Sequence, residues 1–208
     1  MVIYLHGFAS SPRSGKAAYF AERCRERGIE FHAPDLNLPD FSTLTVTRML
    51  EQVRDRLDKA EAPATVIGSS LGGFVAVHAA AKWPETVERL VLMAPALDFS
   101  DEGLSGPGGA NVNEWRRDGS LSVFHFAYGR TMPVHYELYA DARRYDAAAV
   151  TLPMPVVIFQ GRRDIAVDPA SVERWARARP NVQLHMLDDD HQLAASIGYI
   201  WSEVSEHL

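Results

Sequence analysis

Three residues of the chain, in the order serine, aspartate, histidine, have the types and placement that nucleophilic catalysis needs. Ser70 lies in Gly68-Ser69-Ser70-Leu71-Gly72, which fits the G-x-S-x-G turn of an exposed nucleophile. A serine hydroxyl attacks poorly unless a base takes its proton as it does so. To be reachable it must stand at the tip of a tight strand-to-helix turn, where side chains two residues to either side would strike the backbone. Glycine tolerates both the strained angles and the close approach. A helix that starts at the nucleophile also turns its first N–H groups toward the reacting carbonyl. By itself the pattern is weak, since a glycine-rich turn between a buried strand and a packed helix has the same letters. Its context is stronger: Thr65-Val66-Ile67 reads as a strand before it, and Phe74, Val75, Ala76, Val77, Ala79 and Ala80 as an apolar helix after it.

The base and the acid lie downstream. Asp164 follows the predicted strand Pro155–Gln160, and His191 follows Val182–Met186. In a parallel α/β sheet the turns after strands collect at one edge, so Ser70, Asp164 and His191 converge there. His191 would take the Ser70 proton and later return it to the leaving group, and Asp164 would hold the imidazole in the right tautomer. Asp98, after the fourth strand, is an alternative acid. Asp168 reads as a helix cap. Asp188, Asp189 and Asp190 are too close in sequence to His191 to orient it easily. His78 lies on the helix after Ser70, His32 and His185 in strands, His125 and His135 in an insertion, and His207 near the C-terminus.

Acyl transfer also needs donors for an oxyanion. The Leu71 N–H, directly after the nucleophile, is one; the other is expected from His6-Gly7-Phe8-Ala9, with Phe8 N–H first and Ala9 next. Gly7 would let that backbone come close, and His6 would brace it by hydrogen bonding. Trp115, Phe124, Phe126 and Tyr128, with Tyr136 and Tyr139, can line a hydrophobic substrate pocket, or can simply pack the insertion onto the body.

The elements that position these residues alternate. Strands are expected at Val2–Leu5, Ile29–Ala33, Ala64–Ile67, Arg89–Met93, Pro155–Gln160 and Val182–Met186. Helices are expected from Ser14 to about Arg27, from Ser42 or Thr43 past Leu57, through the stretch after Ser70 to Trp83, from Asp168 to Ala178, and from Gln192 to about His207. That alternation predicts an α/β fold with about six mostly parallel strands and helices on both faces. From Leu97 to Tyr145 the rhythm breaks: glycines cluster at Gly103, Gly106, Gly108 and Gly109, Arg117-Asp118-Gly119-Ser120 looks like a hairpin turn, and a short helix spans Glu137 to Arg144. An insertion this long suggests a lid or cap within a single domain over residues 1–208.

Composition narrows the function classes. The 208 residues carry a formal net charge of -6, which gives no electrostatic reason to bind nucleic acid or an anionic membrane. Cys24 is the only cysteine, so no intramolecular disulfide is possible and a reducing, cytoplasmic setting is expected. The apolar opening Val2–Leu5 is too short for a signal peptide, and no run has the length of a membrane span. No His/Asp/Glu cluster has metal-ligand spacing and no glycine-rich loop fits a phosphate cradle, so neither metal nor cofactor is expected.

With these residues in place, the chain resembles the α/β-hydrolase superfamily over nearly its full length. Tyr4-Leu5-His6-Gly7-Phe8-Ala9-Ser10-Ser11-Pro12 together with Gly68-Ser69-Ser70-Leu71-Gly72-Gly73 is similar to the YqiA-like esterases, small intracellular serine hydrolases acting on short to medium acyl esters. The resemblance implies Ser70, Asp164 and His191 as the triad. It also implies a reduced fold that starts at the strand before the oxyanion loop. The expected function is cleavage of carboxylic esters through an acyl-enzyme, with a small-molecule ester as partner and the oligomeric state left open. Rival readings are an acyl-CoA thioesterase, a small aminopeptidase and a catalytically silent binding module. For a CoA substrate, Arg116, Arg117, Arg130, Arg143 and Arg144 in the insertion can supply a basic mouth.

Overall fold

The computed structural model describes residues 1–99 and 111–208. The cluster Gly103, Gly106, Gly108 and Gly109 lies outside the described residues. Among those described, six strands form one parallel sheet: β1 (Val2–Leu5), β2 (Phe31–His32), β3 (Ala64–Ser69), β4 (Val87–Met93), β7 (Val156–Gly161) and β8 (Val182–Leu187), in the spatial order β2-β1-β3-β4-β7-β8. Strands β5 (Ser120–His125) and β6 (Arg130–His135) pair separately as an antiparallel hairpin. The period-two alternation of a strand divides the sheet's side chains between two cores. Ile3, Leu5, Val66, Leu90, Leu92 and Ile158 face one side, where α2 (Val46–Leu57), α3 (Leu71–Lys82) and α6 (Pro169–Arg177) pack. Val2, Tyr4, Ile67, Val91, Met93 and Phe159 face the other, covered by α1 (Gly15–Glu26) and α7 (Ile197–Ser205). Helices on both faces explain why the inner strands read as unbroken apolar runs.

Local chemistry sets the element ends. Ser14 caps α1 by accepting from Ala17 N–H, and Asp168 caps α6 by accepting from Ala170 N–H, with Pro169 in the first turn. Three boundaries differ from expectation. Helix α2 is capped by Thr45 rather than Ser42 or Thr43, because Asp40 captures the Ser42 N–H and winds Phe41–Thr43 into a separate 3-10 turn. The closing helix starts at Ile197, not Gln192. The carboxylates of Asp190 and Asp189 take the N–H groups of Gln192 and Ser196 and hold that stretch as a loop. Strand β2 is two residues long, shorter than the Ile29–Ala33 expected.

The insertion is also built differently. Arg117 and Asp118 end α4 (Val112–Asp118) instead of turning a hairpin, and Gly119 at φ 74° is that helix's left-handed cap. The hairpin turn comes later, where the N–H groups of Tyr128 and Gly129 donate to His125 O. A glycine that tolerates positive φ serves a helix end as readily as a tight turn, so the sequence signal does not separate them. Pro133 sits inside β6, and α5 (Glu137–Ala142) follows it.

Candidate active site

Ser70 joins the end of β3 to the first turn of α3 at φ 53° and ψ −119°, a conformation that L-residues rarely adopt. The surrounding backbone over-determines it. Ser70 N–H donates to Met93 O at 3.0 Å, and Ser70 O accepts from Gly73 and Ala96 N–H at 2.8 and 3.1 Å. The flanking glycines leave the turn room. A methyl group on Gly68 would lie 2.5 Å from Gly72 O, and one on Gly72 would run into the Leu5 and His6 carbonyls. Because Leu5 pairs in register with Gly68, the loop that leaves β1 arrives beside the nucleophile.

That loop, His6 to Arg13, is tied down at several points. His6 is buried; its Nε2 accepts from Leu36 N–H at 3.0 Å, which leaves Nδ1–H to donate to Gly7 O at 2.9 Å. The bracing role expected of His6 therefore has a specific tautomer. A methyl on Gly7 would lie 3.2 Å from Ser70 Cβ, the measure of how closely this backbone passes the serine. Phe8 lines the cavity above Ser70 and leans on Phe41 with ring centres 5.4 Å apart. Ala9, at φ 52°, turns its carbonyl to accept Phe126 N–H at 3.0 Å, joining the loop to the β5–β6 turn.

On the other side of the serine, Asp164 and His191 meet. His191 Nδ1 lies 2.8 Å from Asp164 Oδ2, with the Asp164 side chain fully shielded and the imidazole 20% exposed. Asp164 Oδ1 accepts from Ala166 and Val167 N–H, each at 2.9 Å, and Oδ2 also accepts from Gln160 Nε2 at 2.9 Å. Burial pushes this carboxyl up, but the hydrogen bonds from His191, Val167 and Ala166 more than offset it and hold it below the usual aspartate range. With Nδ1–H committed to Asp164, the imidazole offers Nε2 as a base. Among the described residues no hydrogen bond joins Asp98 to His191, although Asp98 lines the same cavity.

Ser70 and His191 open together onto a cavity of about 1630 Å³. Of the aromatic residues expected along it, Phe126 and Tyr128 line it; Trp115 and Phe124 do not. Trp115 is buried inside the insertion, donating its indole N–H to Val134 O at 3.0 Å and packing edge-on against Tyr136. Phe124 stands on the outer surface against Phe126. Tyr139, Phe99, Ile165 and Val167 add to the apolar lining. None of Arg116, Arg117, Arg130, Arg143 and Arg144 is among the described residues that line the cavity, whereas Arg13 and Lys16 are.

Two supporting residues escaped the sequence reading. Gln160, read as the end of a buried strand, donates to Asp164 while its own Oε1 is buried without a partner among the described residues. Its signal was a polar side chain in an apolar run four residues before the acid. At Gly161 a methyl would lie 2.5 Å from Asp190 O, so this glycine lets the His191 loop close over β7. Among the described residues no group of acids, histidines or cysteines is arranged to hold a metal ion.

Residues 1–205 match the model of a family described as Uncharacterised protein family (UPF0227). The mouse palmitoyl-protein thioesterase ABHD10, mitochondrial, is 34% identical over 103 residues, which is 47% of this chain and 35% of that protein. The chain thus matches about a third of the length of this curated relative. Its fold is close to that of Est1E from Butyrivibrio proteoclasticus with ferulic acid bound, at TM-score 0.84, 19% identity and coverage of 99% of this chain and 86% of the other. Alpha/beta hydrolase domain-containing protein 10 from mouse gives TM-score 0.80 at 24% identity, covering 99% and 88%. The fold is the α/β-hydrolase fold.

Proposed function

The chain belongs to the family UPF0227 within the α/β-hydrolase superfamily, and from that premise we propose that it is a cofactor-independent serine hydrolase cleaving short- to medium-chain carboxylic esters. In this reading Ser70 is the nucleophile, His191 the base and Asp164 its orienting acid. The observation that carries it is the Asp164–His191 pair at 2.8 Å, with His191 lining the same cavity as a serine at the tip of a strained turn.

The chemistry runs in two halves. Ser70 Oγ bonds to the substrate's carbonyl carbon as its proton passes to His191 Nε2. The carbonyl oxygen becomes an oxyanion facing the N–H groups of Leu71 and Phe8. Collapse breaks the ester C–O bond, and the Nε2 proton leaves with the alcohol. A water then attacks the acyl-enzyme, giving its proton to Nε2, and the second collapse frees the carboxylic acid and returns that proton to Ser70. The described residues of the insertion, 97–99 and 111–145, are read as a cap within a single domain, with Phe126 and Tyr128 facing the acyl group. Cys24, buried on α1, fits the cytoplasmic assignment.

A second reading, thioester cleavage, is favoured by the name of the mouse relative and by the apolar wall of Phe99, Phe126, Tyr128 and Ile165. Both are tested with p-nitrophenyl esters from acetate to palmitate beside the matching acyl-CoA series, wild type against Ser70→Ala. Ester turnover that peaks at short to medium chains and disappears in the variant supports the first reading. A preference for thioesters supports the second. Equal turnover in both proteins would overturn the serine mechanism.

A further inference from the structure

Lys16 is the second residue of α1, the helix that follows the oxyanion loop. Its side chain is half-buried. Nζ donates to Gln192 O at 3.0 Å, on the far side of the sequence and one residue after His191. The same side chain lines the cavity together with Ser70 and His191. Carboxylates of two loops act on the ammonium electrostatically: Asp164 from the turn after β7, and Asp190 and Asp189 from the loop after β8. Asp188, the remaining acid there, pairs with Arg163, and Arg13 on Lys16's own segment lines the same cavity.

We propose that Lys16 is a positioning residue for His191: it ties the imidazole's loop to the helix behind the oxyanion loop, and its charge offsets the carboxylates that surround that loop. The inference rests on the serine-hydrolase reading of the site.

Anions near an imidazole favour its protonated form, which cannot accept the Ser70 proton. A cation in their midst opposes that. The ordinary alternative is a solvated surface lysine that balances an acidic loop. Against it stands the lost hydration: burial pushes the Lys16 ammonium down to about 8 even though Asp164, Asp190 and Asp189 pull the other way. Asp190 and Asp189 hold the loop to itself through Gln192 and Ser196 N–H. The Lys16–Gln192 hydrogen bond links that loop to the opposite wall of the cavity.

The test uses Lys16→Met and Lys16→Gln as neutral variants, the second keeping a polar end, and Lys16→Arg as the charge-retaining one. The His191 imidazole titration is followed by NMR, which needs no turnover, alongside kcat and KM for p-nitrophenyl butyrate. In the neutral variants the His191 midpoint should move to higher pH by about half a unit, with kcat falling about tenfold and KM changing less than about twofold. Lys16→Arg should keep the wild-type midpoint and recover most of kcat. If Lys16→Met does not fold, Lys16→Gln carries the same readouts. A midpoint that stays in place in the neutral variants overturns the charge role, and an Arg variant as slow as the neutral ones does the same. A wild type that takes no fluorophosphonate at Ser70 overturns the hydrolase reading instead, while the NMR midpoint still decides what Lys16 does to the imidazole.

Discussion

Asp164 and His191 lie 27 positions apart in the chain, and Oδ2 of one meets Nδ1 of the other at 2.8 Å. The aspartate's other oxygen is held by two backbone N–H groups of its own turn, from Ala166 and Val167. The carboxylate cannot rotate without losing them, so the imidazole inherits the orientation of a backbone turn.

The first prediction compares two acids, one bonded to His191 and one lining the cavity beside it. Asp164→Asn should lower kcat by about 10³- to 10⁴-fold, because the amide supports the wrong imidazole tautomer. Asp98→Asn should cost less than about threefold. The reverse ranking in steady-state ester hydrolysis would show that the wrong acid was assigned.

Gln160 should act through Asp164. Gln160→Leu removes a charge-assisted hydrogen bond together with the buried Oε1 that lacks a partner. Folding stability should change by less than about 1 kcal/mol, since donor and orphaned acceptor are lost together. Turnover should fall about tenfold with KM nearly constant. Urea melts beside kcat measurements separate the two; a large loss of stability with unchanged kcat would make Gln160 purely structural.

Gly68→Ala should fail for steric reasons. The added methyl would meet Gly72 O at 2.5 Å, backbone on which no flexible side chain can yield. A loss of about 2–4 kcal/mol in chemical denaturation is expected, with ester turnover lost as the elbow shifts. A variant with wild-type stability would contradict the packing described here.

Lys16 makes stability depend on pH in a direction fixed by sign. In the folded protein its ammonium is pushed down to about 8 from the usual 10.5. Below about 8 both folded and unfolded chains hold the proton, and the folded one bears the partly desolvated charge. Between about 8 and 10.5 the unfolded chain keeps a proton that the folded chain has released, so stability rises with pH. The urea midpoint of the wild type should therefore gain on that of Lys16→Met as pH goes from 7.5 to about 10.5. A constant difference would mean that the ammonium is solvated.

Much of this was legible because it follows from periodicity and spacing. Val2–Leu5, Val66-Ile67 and Leu90–Met93 read as buried parallel strands, and they form the centre of the sheet. Gly68 and Gly72 mark the turn that is crowded in the folded protein. Illegible were contacts that depend on distant segments. Lys16 meets Gln192 across 176 positions, and no local pattern announces it. Trp115 carried the same letters whether it faced the cavity or the insertion's own core; Val134 O, which takes its N–H, decided the matter. The Asp188–Asp190 run reads only as acids too close in sequence to His191 to orient it, yet Asp189 and Asp190 shape the loop that delays α7.

The hydrogen bond from Phe126 N–H to Ala9 O has a bearing on how this chain can diverge. A cap that only covered the cavity could be exchanged between relatives like an attachment, altering which acyl groups enter and nothing else. Here the hairpin tip holds the strand of backbone that is read as cradling the oxyanion. Transplanting the hairpin would re-aim that cradle, so selectivity and rate are mortgaged to the same few residues and must drift together.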